Sequence, residues 1–113
     1  MHEYSIVQSL LDSCEDHVRQ NNASRVSRVV VKIGVMSGVE PSLLQTAFDT
    51  FKEKTICEDA EFVINMQEVI VKCRDCLCDN EIHRLEYICP HCKSVNLDII
   101  DGEDMYLMQL ELD

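Results

Sequence analysis

Cys73-Arg74-Asp75-Cys76 and Cys89-Pro90-His91-Cys92, two Cys-x-x-Cys turns with twelve residues between them, decide how this chain of 113 residues is divided. Each turn offers two sulfurs from one tight knuckle. Two knuckles brought together make the closed four-sulfur shell that Zn²⁺ prefers, at about 2.3 Å per bond. A structural zinc site on Cys73, Cys76, Cys89 and Cys92 is therefore expected. The segment around it, residues 68–104, reads as too poor in apolar side chains for a core of its own. Metal is expected to stand in for that core, since structural zinc supplies about 10–16 kcal/mol of apparent binding energy that is also folding energy.

On either side of this lobe the pattern is that of an α/β (α+β) body. Tyr4, Val7, Leu10, Leu11, Cys14 and Val18 recur at three and four residues, the stripe of a helix from Tyr4 to about Gln20 that ends in Asn21-Asn22-Ala23-Ser24. Arg28 to Val35 is strand-like, with Val29, Val31, Ile33 and Val35 on one face and Val30 on the other. Gly34 and Gly38 bracket a turn, and Pro41 then opens a helix whose stripe is Leu43, Leu44, Ala47, Phe48 and Phe51, stopping near Lys54. Ala60, Phe62, Ile64 and Met66 alternate in a second strand after a loop that holds Cys57. A strand-helix-strand unit calls for a right-handed crossover and a parallel pair. Met105 to Leu112 alternates again, so the chain returns from the lobe to complete the sheet. The expected architecture is two helices packed on a three-stranded mixed sheet with an inserted zinc-ribbon lobe. Residues 1–67 plus 105–113 form the body and 68–104 the lobe.

The chain opens Met1-His2-Glu3. An imidazole one residue from a free α-amine is a chelate: the amine, the His2 amide nitrogen and His2 Nδ1 close small rings around one ion. A deprotonated amide suits a square-planar ion such as Ni²⁺ or Cu²⁺ better than zinc.

Charge narrows the partners. Lys and Arg number 10 against 21 Asp and Glu, a formal charge of −11. The lobe carries Lys72, Arg74, Arg84 and Lys93 against nine carboxylates, with no basic stripe to neutralise phosphates, so nucleic acid is not an expected partner. No apolar run approaches the roughly 18 residues of a membrane span, and no secretory signal is legible. With an odd count of seven cysteines and a doubled Cys-x-x-Cys, the reading is a cytoplasmic protein whose thiols stay reduced. No phosphate-binding Gly-x-x-x-x-Gly-Lys loop and no nucleophile-base grouping stands out, so the chain is not expected to be an enzyme.

The Met1-His2-Glu3 start, the turn Gly34-Val35-Met36-Ser37-Gly38-Val39-Glu40-Pro41 into a helix with Ala47-Phe48, the paired knuckles and the Gly102-Glu103-Asp104-Met105 re-entry together resemble the HypA/HybF nickel metallochaperones of hydrogenase maturation. The resemblance covers essentially the whole chain. It implies structural zinc on Cys73, Cys76, Cys89 and Cys92. It also implies transported Ni²⁺ held by His2 with the Met1 amine and backbone nitrogen at His2 and Glu3. The implied partners are a nickel-handling GTPase, the [NiFe]-hydrogenase large subunit and, in some bacteria, urease with its accessory protein. A lobe joined by two strands is able to exchange between copies, which leaves a homodimer open beside a monomer.

Where many members have a permissive residue after the first knuckle, this chain has Leu77-Cys78, which places a spare thiol near the cage. His83 and His91 are read as neighbours of the zinc. Two other functions compete: a zinc-ribbon protein-protein interaction module without nickel, and a dithiol redox enzyme. The second is the poorer, because two matched knuckles are better explained by metal.

Overall fold

Val7, Leu10, Leu11, Cys14 and Val18 are all buried, and the helix that their spacing builds, α1, runs His2–Gln20 in the computed structural model. The structure describes residues 2–83 and 87–113, the side chain of His2 excepted. Tyr4 departs from the expected stripe: it is 47% exposed and stands edge-on to Phe51 with ring centroids 5.1 Å apart. The next elements are β1 (Val26–Gly34), α2 (Pro41–Phe51) and β2 (Glu61–Gln67), followed by β3 (Val69–Cys73), β4 (Asp79–Ile82), β5 (Leu97–Asp101) and β6 (Met105–Leu112).

Helix α2 starts as its sequence dictates. Glu40 caps it by accepting from the Ser42 N–H at 3.4 Å, and Pro41 fills the first position, where a missing N–H costs nothing. Leu44, Ala47 and Phe48 are buried, whereas Leu43 and Phe51 are exposed, so the apolar stripe is narrower than expected. The helix also ends earlier, at Phe51. Lys54 then takes φ 62 and donates its N–H to Glu58 Oε2 at 2.6 Å. Phe48 stacks on Phe62 at 4.2 Å and 11°, fastening α2 to β2.

The strands form two sheets, in the orders β2-β1-β6 and β4-β3-β5. The first is mixed. Arg25 and Asp113 exchange backbone hydrogen bonds while Gly34 donates to Asp104, so β1 and β6 run antiparallel. Val26 bonds to Ile56 and Val35 to Gln67, so β1 and β2 run parallel. Two expected core positions are solvent-facing: Val35 is 42% exposed because the chain turns after Gly34, and Met66 is 48% exposed near the end of β2.

The second sheet corrects the expectation that residues 68–104 lack a core. Val69, Val71 and Ile82 are buried together, with Tyr87 and Leu97 packed against them. β3 is its central strand, antiparallel to β4 (Val69↔Ile82, Lys72↔Asp79) and to β5 (Val71↔Ile99, Cys73↔Leu97). β4 (DNEI) is mostly polar and β5 (LDIID) has no fully buried residue, and their pairing to β3, rather than burial of their own, makes them strands.

The chain divides into two compact units. One comprises Met1–Lys32, Val39–Asn65 and Tyr106–Asp113, the other Ile33–Gly38 and Met66–Met105. Within the second, two glycines are obligatory. A Cβ on Gly34 would meet the Gly102 carbonyl at 2.3 Å, and one on Gly102, itself at φ 99, would meet Val69 Cα at 2.7 Å.

Candidate metal centre

The two knuckles are built as copies of one another. In the first, Leu77 N–H donates to Cys73 O at 3.0 Å and Cys73 N–H to Cys78 O at 3.0 Å. In the second, Lys93 N–H donates to Cys89 O at 2.8 Å and Cys89 N–H to Ser94 O at 2.9 Å. The fifth residue of each, Leu77 and Lys93, takes the left-handed conformation at φ 62 to let the chain fold back. That is why a permissive residue belongs at position 77.

The turns bring four sulfurs together, all within 4.8 Å of one another. Cys73 Sγ lies 3.5 Å from Cys92 Sγ, and Cys76 Sγ lies 3.6 Å from Cys89 Sγ. A tetrahedral ion with bonds of about 2.3 Å needs sulfurs about 3.8 Å apart, so a single ion fits this set with little movement. Cys73 and Cys89 are buried, Cys76 is half-buried and Cys92 exposed.

Crowding splits the thiols electrostatically. The Cys92 and His91 backbone N–H groups, with the neighbouring sulfurs, bring Cys89 down to about 6. The Cys76 N–H holds Cys73 below the ordinary thiol range in the same way. The Cys78 N–H pulls Cys76 down, but burial and the sulfurs of Cys89, Cys73 and Cys92 outweigh it and push this thiol up. Cys92 is raised too: the Ser94 N–H lowers it, and the Cys73 sulfur, burial and the Cys89 sulfur together prevail. Four thiolates this close need a cation among them before all ionise.

Polar side chains that sequence reasoning missed join the knuckles. Asp75 accepts from the Ser94 hydroxyl in a short hydrogen bond and from Asn96 Nδ2 at 3.2 Å, and these bonds hold its carboxyl below the usual range. Arg74 forms a two-pronged pair with Asp98 at 2.9 and 2.5 Å, its N–H meets Asn96 O, and Asn80 Nδ2 approaches Cys89 Sγ at 3.8 Å. Their only sequence signal is position inside or just beyond a knuckle.

Three expected neighbours of the cage fare differently. Cys78 is half-buried, with its thiol turned to Cys76 O at 3.7 Å, and is not one of the four clustered sulfurs. His91 is exposed on the second knuckle. His83 is not beside the cage. The register sets it past Ile82 opposite Val69, four residues and about 13 Å along β3 from Cys73, where its ring lies 3.4 Å from Glu81 and 3.9 Å from Glu68.

At the other candidate site, Met1 and the side chain of His2 lie outside the described residues. Glu3 is described: its Oε2 accepts from the Glu40 N–H at 3.4 Å, so the carboxylate is turned to the loop before α2. Cys14 and Cys57 form a further pair, both fully buried. Their mutual hydrogen bond and burial push the Cys14 thiol far up, as suits an inert core group. A loop position gave no sign that Cys57 would be buried.

A small α+β fold whose second sheet carries a four-thiol cluster is that of a metal-binding protein. Residues 1–112 match the family profile described as "Hydrogenase/urease nickel incorporation, metallochaperone, hypA". The chain belongs to the HypA family of nickel metallochaperones, which carry a metal rather than turn over a substrate. It is 53% identical to the hydrogenase maturation factor HypA of Shewanella halifaxensis over 113 residues, all of this chain and 98% of that one. Identity and coverage are the same against the Aquifex aeolicus factor, at 53%, 100% and 98%. The solution structure of the nickel metallochaperone HypA from Helicobacter pylori matches with a TM-score of 0.70 at 40% identity, covering 97% of this chain and 96% of that one. Another HypA solution structure matches at 0.77 and 41%, covering 99% and 96%.

Proposed function

We propose that the chain binds Ni²⁺ at its N-terminus and hands it on for [NiFe]-hydrogenase maturation, while Cys73, Cys76, Cys89 and Cys92 hold a structural Zn²⁺. The observation that carries the zinc assignment is the spacing of the sulfurs, 3.5 and 3.6 Å across the two knuckles, together with an all-thiolate donor set. Zinc neutralises the crowded thiolates and ties the knuckles to each other; it has no open position for chemistry.

Nickel is assigned to the Met1 amine, the His2 imidazole and amide, and backbone nitrogen at Glu3. Helix α1 begins at His2, and the first N–H groups of a helix have no intrahelical acceptor, which leaves the backbone nitrogens of His2 and Glu3 available to a metal. The Glu3 carboxylate, engaged by Glu40, serves to hold this tip in place. A terminal site with few ligands loads and unloads readily. On this reading residues 1–67 plus 105–113 carry the nickel, residues 68–104 carry the zinc, and the setting is the cytoplasm, where thiols stay reduced.

The family description couples hydrogenase with urease. The recipients we infer are therefore the hydrogenase large subunit through a nickel-handling GTPase and, where present, urease through its accessory protein. Nickel titration of the untagged protein against His2→Ala and against a form with one residue added before Met1 tests the site. Both changes are expected to abolish the square-planar nickel signature. Equal nickel affinity in all three forms would leave a zinc-ribbon interaction module with no nickel role. Because amine and imidazole must shed protons, nickel affinity is expected to fall as pH drops below about 6.5.

A further inference from the structure

The two knuckles match bond for bond in their backbones but not in their side chains. Position three of the first knuckle, Asp75, reaches across to position six of the second, Ser94, and on to Asn96. The mirror-image pair, His91 and Cys78, makes no such bridge among the described residues. Ser94 Oγ also accepts from the Asn96 N–H at 3.0 Å, so one carboxylate, one hydroxyl and one amide form a closed set over the second knuckle.

This placement runs against simple electrostatics. Four thiolates on one dication leave a cage of charge about −2, and an aspartate inside the first knuckle adds repulsion. Its hydrogen bonds from Ser94 and Asn96 offset that repulsion and hold the carboxylate across the two knuckles.

We propose that Asp75 is a positioning residue that latches the two knuckles across the cage and slows metal escape. The reasoning is kinetic. A site of four thiolates releases its ion stepwise, and after the first sulfur leaves, escape depends on whether the knuckles separate before it returns. Cys92 is the exposed residue of the set and the natural first to leave. Asp75, by holding Ser94 and Asn96, keeps the second knuckle against the first and favours recapture. Arg74 reinforces the seam through the Asn96 carbonyl. The latch rests on the zinc reading of the cage but goes beyond it, since ligand identity says nothing of how fast the ion leaves.

The sign of a substitution separates latch from repulsion. The measurement is the rate of zinc transfer from the full-length, zinc-loaded protein to a chromogenic chelator, with the sulfur shell checked by zinc X-ray absorption. On the latch account Asp75→Ala accelerates transfer about 10-fold, the low end of what outer partners of metal ligands contribute. Ser94→Ala accelerates it in the same direction and serves where Asp75→Ala does not fold. Asp75→Asn, which loses the charge but keeps an acceptor, stays near the parent. Unchanged rates in Asp75→Ala and Ser94→Ala, or slower transfer in both Asp75→Ala and Asp75→Asn, would overturn the latch while the four-sulfur shell stands. A parent without a zinc-sulfur shell would overturn the metal reading and the latch with it.

Discussion

Phe48 and Val71 sit in two cores built by different means. Around Phe48 the first unit gathers Val7, Leu10, Leu11, Val29, Val31, Leu44, Ala47 and Phe62, an apolar set large enough to hold two helices on a sheet. Around Val71 the second unit has Val69 and Ile82, with Tyr87 and Leu97 at the margin. The comparison shows that the same chain solves its folding problem twice: once by burial, and once by a small apolar seed completed with four sulfurs. Their responses to metal, acid and truncation should differ accordingly.

Metal removal is the largest perturbation. With zinc stripped, the second unit is expected to lose on the order of 10 kcal/mol or more of support. Hydrogen exchange should then show β3, β4 and β5 unprotected while α1 and Val29 to Val31 keep their protection. Uniform loss, or none, would break the contrast. Acid reaches the same unit. Cys89, drawn down to about 6, lies below its unfolded value of about 8.5. Its contribution is therefore complete above the unfolded value and is lost as pH falls through 6. Zinc content after dialysis should fall as pH drops through about 6, and zinc retained equally at pH 7 and pH 5 would remove the electrostatic part of the account.

Phe48→Ala is the mirror experiment. It should cost about 3–5 kcal/mol in denaturant unfolding of the first unit with zinc content unchanged; a fall in zinc content would mean that the cores are not independent. Gly102→Ala is next, at about 1–3 kcal/mol, because φ 99 and the Val69 backbone leave no room for a methyl, and the second unit alone should register it. The smallest effect has the opposite sign. Leu77 is 70% exposed in a left-handed conformation, so Leu77→Gly should stabilise the zinc-loaded second unit by about 1 kcal/mol, read as a rise in its melting temperature.

The same contrast explains what the sequence revealed. α1, α2, β1, β2 and β6 were legible because apolar periods report burial against a large core, whereas the order β2-β1-β6 is set by which edge of β1 the returning strand takes. Errors fell at the edges of stripes: Tyr4, Leu43, Phe51, Val35 and Met66 are apolar yet substantially exposed, since spacing alone does not say where a core stops. β3 to β5 escaped notice because strands of four or five residues are too short to show a period of their own; only pairing between distant segments makes them a sheet. The four cysteines were legible from spacing, whereas His83 was misplaced because nearness in sequence was taken for nearness in space. Asp75 and Ser94 were invisible, since a hydrogen bond across two knuckles leaves no trace in the spacing of either.

The central claim is that one chain keeps two unlike metals at two sites by donor chemistry. It is tested most directly by X-ray absorption at both metal edges on protein with a native N-terminus, loaded with one zinc and one nickel. The account predicts a zinc edge fitted by four sulfurs and a nickel edge fitted by nitrogen and oxygen donors in a planar shell. Nickel fitted by sulfur, or a nickel spectrum unchanged after His2→Ala, would contradict it.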